Sequence, residues 1–196
     1  MIVRVELIEE ALGMMPAKPE IHREHIASKA PDAKTLEEEV AESGIDAVED
    51  SQTTIFPKEN GVPFWWNYQI KGSFKDACGM LARVPGTKSK ELKAWRKVID
   101  GIIFIYPGKI LIQLPKDAVI GKCERPLRAS TPKGERVCLA ASETIPAGSI
   151  FEFQVECLNT AHEPIVREWL DYTARRGYGQ WRNSGKGIAH WREIKE

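Results

Sequence analysis

The sequence predicts an α+β protein with a mainly antiparallel sheet and helices packed on one of its faces. Three observations carry that expectation. Segments at both ends alternate apolar and polar residues with the period of a half-buried strand: IVRVELI at 2–8, SIFEFQVEC at 149–157 and GIAHWREI at 187–194. Segments at 73–84 and 164–177 carry the 3.6-residue apolar spacing of amphipathic helices. The end of the chain thus reads strand, helix, basic glycine loop, strand, and the beginning reads strand, helix, hairpin, more helix. The economical architecture is a ferredoxin-like or RRM-like core with insertions. A chain of 196 residues can bury a real core, and a single domain over 1–196 is expected.

Each element has a local reason. Residues 2–8 form the first strand, followed by a turn containing Gly13 and Pro16. PEIHREHIASKA (19–30) suits a short helix with Pro19 near its first turn. TLEEEVAES (35–43) has Thr35 and Glu38 in capping-box spacing and stops at Gly44. Together they form an acidic helical insertion over about 19–50. TTIFPKENGVPFWWNYQI (53–70) reads as a hairpin, because Asn60-Gly61 is the strongest short turn signal in the chain. Within it Trp65 and Trp66 point to opposite faces, one to the core and one outward. SFKDACGMLARV (73–84) starts with Ser73 three residues before Asp76, an N-cap arrangement, and Phe74, Ala77, Cys78 and Leu81 share one face. SKELKAWRKVI (89–99) is a further helix, and GIIFIY with KILIQL forms a strand pair across Pro107-Gly108.

Residues 115–148 are rich in Pro, Gly, Ser and Thr and read as a long basic loop excursion, with Arg125, Arg128, Lys133 and Arg136 outnumbering Glu124 and Glu135. In 149–157, Phe151, Phe153, Val155 and Cys157 lie on one side. PIVREWLDYTARRG (164–177) turns Ile165, Val166, Trp169, Leu170 and Thr173 inward, has Arg175 and Arg176 in its last turn, and ends at Gly177.

Composition bounds the function. Apolar content of 42% and charged content of 29% are ordinary for a soluble globular chain. The longest apolar candidate, GIIFIYPGKILIQL, is broken by Pro107, Gly108 and Lys109, so no membrane span and no membrane partner is expected. The start, MIVRVELIEEAL, lacks a basic region before a long apolar segment and is not a secretion signal, which implies a cytoplasmic location. Cys78, Cys123, Cys138 and Cys157 are far apart and form no Cys-x-x-Cys, so they read as reduced, mostly buried thiols. Zero formal net charge hides a split: residues 1–52 carry 13 acids and 5 bases, and residues 53–196 carry 15 acids and 23 bases. An acidic face and a basic face follow, and basic faces meet anions; a solvated acidic helix beside an ordinary surface is the plainer account.

The densest chemistry is RRGYGQWRNSGKG at 175–187. It is no P-loop, since Gln180 stands where the first glycine is required, Gly187 follows Lys186, and a helix precedes the segment. A dinucleotide fingerprint fails for want of a third glycine. What remains is a loop whose backbone can approach a ligand at Gly177, Gly179, Gly185 and Gly187. Arg175, Arg176, Arg182 and Lys186 can meet phosphates, and Tyr178 and Trp181 can stack on unpaired bases. The alternative is a tight hairpin whose arginines cap the helix and whose aromatics complete the core. Lys71, Gly72, Ser73 and Lys75 pose the same choice, between an anion site at a helix start and an ordinary capped helix. His22 and His25 share a helical face, but no second cluster completes a metal set; they are surface histidines, or one is a general base for RNA cleavage by the 2′-hydroxyl. No Gly-x-Ser-x-Gly and no matched carboxylates occur, and no cofactor is implied.

IKGSFKDACGML (70–81) resembles the segment of RAMP-superfamily CRISPR proteins in which a Gly-Ser-(x)-Lys stretch opens a helix of the core. RRGYGQWRNSGKGIAHW resembles their glycine-rich loop between a late helix and a terminal strand, and VELIEEALGMMP their first strand and turn. The matches cover about a quarter of the chain. The resemblance implies RRM-like domains and a non-catalytic guide-RNA-binding subunit of a ribonucleoprotein. Its partners are then single-stranded RNA or other nucleic acid and further protein subunits or copies of itself. It implies RNA contacts at Lys71, Gly72, Ser73, Lys75 and the 175–187 loop, with 122–136 as a basic thumb or finger on the same strand. Some such proteins process precursor RNA with a histidine, which makes His22 or His25 the catalytic candidate of a second reading, a metal-independent endoribonuclease. The chain departs from the family in being short, near neutral and acidic at its amino-terminal insertion. Those departures suit a third reading, a phage or mobile-element protein that binds a CRISPR complex as an inhibitor, its acidic face at 35–50 occupying a nucleic-acid site.

Overall fold

The computed structural model describes residues 1–16, 53–131 and 134–194, with backbone alone at 127–131 and 134–139. Its strands are β1 (Ile2–Leu7), β2 (Ala11–Leu12), β3 (Met15–Pro16), β4 (Thr54–Ile55), β5 (Lys58–Glu59), β6 (Val62–Trp66), β7 (Ile103–Tyr106), β8 (Lys109–Gln113), β9 (Gly121–Thr131), β10 (Gly134–Ile145), β11 (Ile150–Cys157) and β12 (Ala189–Ile194). Its helices are α1 (Asn67–Leu81), α2 (Lys88–Glu91), α3 (Trp95–Gly101) and α4 (Glu163–Arg176). The chain groups into two compact units. One comprises Met1–Ala11, Pro57–Val119 and Ile145–Glu196; the other comprises Leu12–Phe56 and Ile120–Thr144. The expected acidic insertion, with its helices at 19–30 and 35–43, lies outside the described residues.

The first unit is built on an antiparallel sheet of order β12-β1-β11-β8-β6-β5, with β7 also paired to β11. β1, α1, β7/β8, β11, α4 and β12 follow one another as βαββαβ, and their strand order is that of the ferredoxin-like split βαβ fold. Alternation places the core. Val3, Val5 and Leu7 of β1 and Phe151, Phe153 and Val155 of β11 are buried on one face. They are covered by Ile70, Phe74, Ala77 and Cys78 of α1 and by Val166, Trp169, Leu170 and Thr173 of α4. Phe74 and Trp169 meet at 5.7 Å between ring centroids, which joins the two helices above the sheet. The strands at 2–8, 149–157 and 187–194 and the helix at 164–177 therefore form where the sequence places them.

Four local expectations change. GIIFIY and KILIQL do not form a hairpin: β7 and β8 run in the same direction along one edge of β11. Tyr106 faces Gln154 while Ile112 faces Phe151, so a six-residue advance on one side meets a three-residue advance on the other. The break at Pro107-Gly108 absorbs the excess as a bulge, because proline has no N–H to give the ladder. Asn67 brackets the break, its backbone N–H donating to the Gly108 carbonyl at 2.9 Å and its Nδ2 to the Ile105 carbonyl at 3.0 Å. The helix expected from Ser73 begins at Asn67, because Gln69 Oε1 accepts from the Trp66 N–H at 2.9 Å and closes the first turn six residues earlier. The helix expected at 89–99 is divided into α2 and α3 at Ala94, which adopts φ 50°. The 53–70 hairpin contracts to β5 and β6, whose turn has positive φ at both Asn60 and Gly61, as a type I′ turn requires.

In the second unit the sheet order is β2-β10-β4-β3, with β9 on β10. The loop excursion expected over 115–148 is thus a long regular hairpin, paired from Gly121 opposite Thr144 to Thr131 opposite Gly134. Pro126 obscured it in the sequence, yet it is tolerated because β9, among the described residues, pairs only with β10 and is an edge strand. Gly13 donates to the Glu143 carbonyl at 2.9 Å, and a Cβ at Gly13 would lie 2.5 Å from the Ile55 carbonyl carbon. Only glycine permits that approach.

Candidate nucleic-acid interface

The glycine-rich segment leaves α4 at Gly177 and folds back on itself before β12. Tyr178 N–H donates to the Gly187 carbonyl at 2.9 Å, and Gly187 N–H donates to the Glu10 carbonyl at 2.8 Å. A Cβ at Gly187 would lie 1.9 Å from the Tyr178 oxygen, and one at Gly177 would lie 2.2 Å from the Lys186 oxygen. With φ of 72° and 96° these two glycines hold the segment shut.

Its cations turn inward. Arg182 Nη1 donates to Asp76 Oδ2 at 3.0 Å, and Arg176 Nε stands 3.9 Å from the same oxygen. Arg176 Nη1 also donates to Asn183 Oδ1 at 2.6 Å, and Lys186 Nζ donates to Glu10 Oε1 at 2.5 Å. Arg175 is exposed and has no such partner among the described residues. Tyr178 does not offer the face expected of it: its ring is buried edge-on against Phe151 at 5.2 Å, and burial pushes its hydroxyl far above the ordinary value near 10. Trp181 stands at φ 55° and is 41% exposed. Among the cations and aromatics of the segment, Arg175 and Trp181 are the exposed ones.

The motif at 70–81 meets this segment through Asp76. Lys71, Ser73 and Lys75 lie inside α1 rather than at its start, so the free N–H groups expected beside them are absent. Ser73 Oγ donates back to the Ile70 carbonyl at 2.8 Å, a bond internal to the helix. Lys75 pairs with Asp100 at 2.6 Å. Lys71 donates to the Asp100 carbonyl at 3.3 Å and stands 5.3 Å from the Phe104 ring centroid.

In the second unit Arg128 lies on β9 and Arg136 on β10, while Lys133 falls outside the described residues. Arg125 is 8% exposed and is therefore buried rather than at the surface. His22 and His25 lie outside the described residues. Among the described residues no cluster of His, Cys, Asp and Glu could hold a metal, and no helix is long and apolar enough to cross a membrane. Cys78 is buried, with its thiol pushed up by desolvation; Cys123 and Cys157 are half-buried.

Sequence reasoning did not find the group of rings at the β7/β8 break. Trp65 is buried and Trp66 half-buried, as strand alternation requires. Trp66 and Tyr68 stack at 6.1 Å with an interplanar angle of 15°, and Tyr106 and Leu111 are both 47% exposed. The signal present was the aromatic run FWWNY, which the hairpin reading absorbed.

The fold is shared with a chain in a cryo-EM structure of the Type III-B Cmr-β complex bound to cognate target RNA. The TM-score is 0.57 at 15% identity, over 99% of this chain and 59% of that one. A chain of a Type IV-B CRISPR complex gives a TM-score of 0.47 at 14% identity, over 98% of this chain and 90% of that one. No family model matches the chain, and no curated protein is significantly similar to it in sequence. The chain spans 59% of the length of the Type III-B subunit, and what is common to the two is the α+β ferredoxin-like architecture.

Proposed function

We propose that this chain is an RNA-binding subunit of a CRISPR ribonucleoprotein, holding single-stranded RNA without cleaving it and contacting further protein subunits. The observation that carries the reading is the fold shared, over nearly the whole chain, with a subunit of a complex bound to target RNA. The resemblance of the 70–81 and 175–187 motifs to RAMP-superfamily segments supports it, since Asp76 and Arg182 draw those motifs together. In the first unit Arg175 and Trp181 are the contacts of the glycine-rich segment, one for phosphate and one for a base. Lys71 and Lys75 add positive charge along α1. In the second unit Arg128, Lys133 and Arg136 of the hairpin region contact phosphate. Tyr178 has an internal role in this reading.

The test is anisotropy of a labelled single-stranded RNA across a salt series. Binding is expected to weaken with salt, log K falling by about 0.7 per neutralised phosphate for each unit of log salt. An Arg128/Lys133/Arg136→Ala variant is expected to flatten that slope. No binding at low salt overturns the reading. Recovery of RNA with 2′,3′-cyclic ends, lost on His22→Ala or His25→Ala, replaces it with the endoribonuclease.

A further inference from the structure

We infer that the aromatic shelf at the β7/β8 break is a stacking surface for unpaired nucleobases, a site that rests on the RNA-binding reading and gives it a second contact chemistry. The strand residues of the shelf lie on the sheet face opposite the core side chains of α1 and α4, and Tyr68 joins them from the first turn of α1. Along β8, Ile110 and Ile112 are buried beneath the helices, so Lys109 and Leu111 point the other way; Trp66 is paired with Lys109 and Phe64 with Leu111. Along β7, Ile103 and Ile105 are buried, so Phe104 and Tyr106 face outward with them. Trp66 packs edge-on against Phe64 at 4.9 Å and carries Tyr68 in a near-parallel stack, and the stack ends at Tyr68, which is 60% exposed. The exposed Tyr68 ring offers a flat face on which an unpaired base can stack.

The charges beside the rings select the occupant. Lys109 Nζ stands 5.6 Å from the Phe64 centroid and is paired with the exposed Glu59 Oε1 at 2.5 Å, while Lys71 Nζ stands 5.3 Å from the Phe104 centroid and donates to the Asp100 carbonyl; both ammonium groups sit at the surface, where a phosphate can compete for them. Ammonium groups set among aromatic rings match the alternation of base and phosphate along a single strand. An obligate protein interface is instead built on an apolar core depleted of charge. The centre of the same face offers no rival site for bases. Ile2, Arg4 and Glu6 of β1 stand there beside Glu152, Gln154 and Glu156 of β11, with Arg4 and Glu152 paired at 2.9 Å. The shelf is therefore off-centre, on β6 and the start of α1.

The experiment uses the full chain and a 4-thiouridine-containing oligouridylate, read by salt-dependent affinity and by mass-spectrometric mapping of the crosslinked peptide. A Tyr68→Ala variant is expected to lose affinity by about tenfold, and Tyr68→Phe to retain it, since base–aromatic stacking is worth about 1–3 kcal/mol per base. The crosslink is expected within 62–70 or 104–111. Normal salt-dependent binding with unchanged affinity in Tyr68→Ala and crosslinks elsewhere overturns the shelf and leaves the RNA-binding reading standing. Absence of RNA binding in the parent chain overturns both. Sedimentation showing self-association that Tyr68→Ala abolishes, with RNA affinity unchanged, assigns the shelf to a second copy of the chain and overturns the nucleobase site.

Discussion

The glycine-rich segment at 177–187 and the aromatic shelf at Trp66–Tyr68 are made of similar material, yet they present it differently. In the segment, backbone hydrogen bonds and two close glycine approaches close the loop, Tyr178 is driven into the core, and Arg176, Arg182 and Lys186 are held by Asp76, Asn183 and Glu10. On the shelf, one ring is half-buried as an anchor and the next is left in solvent. Residue type gives the chemistry that is possible; the depth at which the backbone delivers each side chain decides what is available to a ligand.

The largest effect that would break this contrast is expected at Gly187. Gly187→Ala drives a Cβ into the Tyr178 backbone at a positive φ, and a loss of about 3 kcal/mol or more is expected in denaturant unfolding. Gly185→Ala, with a positive φ but only Ile188 Cδ1 within reach at 3.8 Å, should cost about 1 kcal/mol. Equal losses at the two sites would mean that the segment is not closed as described.

Tyr178 gives a pH test. Its phenol stays neutral in the folded chain while the unfolded chain ionises near pH 10, so its contribution is intact below pH 10 and is lost as pH rises above it. The parent should lose roughly 1.4 kcal/mol for each pH unit beyond that point relative to Tyr178→Phe. At neutral pH the phenylalanine variant should match the parent or exceed it by up to about 1 kcal/mol, because the buried hydroxyl has no partner among the described residues. Parallel curves in alkaline titration would place the ring at the surface.

Asp76→Asn sharpens the comparison from the side of charge. The Arg182 pair is about one-third exposed on each side, so a loss of no more than about 1 kcal/mol is expected. Releasing Arg176 and Arg182 should raise RNA affinity about threefold at low salt, an increase that disappears in high salt. Unchanged affinity would confine the segment's contacts to Arg175 and Trp181. The smallest stability effect belongs to Tyr68→Ala, expected within about 0.5 kcal/mol in thermal unfolding because the side chain is exposed. A large loss there would make the shelf part of the core.

Much of the fold was legible because its signals are local. Alternation of Val3, Val5, Leu7 and of Phe151, Phe153, Val155 marks strands whose side chains can leave the backbone only to two sides. The face of α4 was legible from its 3.6-residue period, and the β5–β6 turn from Asn60-Gly61. The β9–β10 hairpin was not, because its regularity comes from pairing between strands while its composition reads as loop. The start of α1 was misplaced because Ser73 is a good cap by type, whereas the cap used is Gln69 folding back on Trp66.

The candidate site divides in the same way. The sequence alone determined that cations, glycines and aromatics gather at 175–187, that a second motif stands at 70–81, and that strand, helix, loop and strand close the chain. The tertiary structure decided that Tyr178 is interior, that Asp76 neutralises two of the arginines, and that β7 and β8 extend along one edge of β11 with Tyr106 left exposed at the break between them. Period and composition act over a few residues. Burial, ion pairing and sheet register depend on partners far away in the chain, such as Glu10 for Lys186 across an interval of 176 positions.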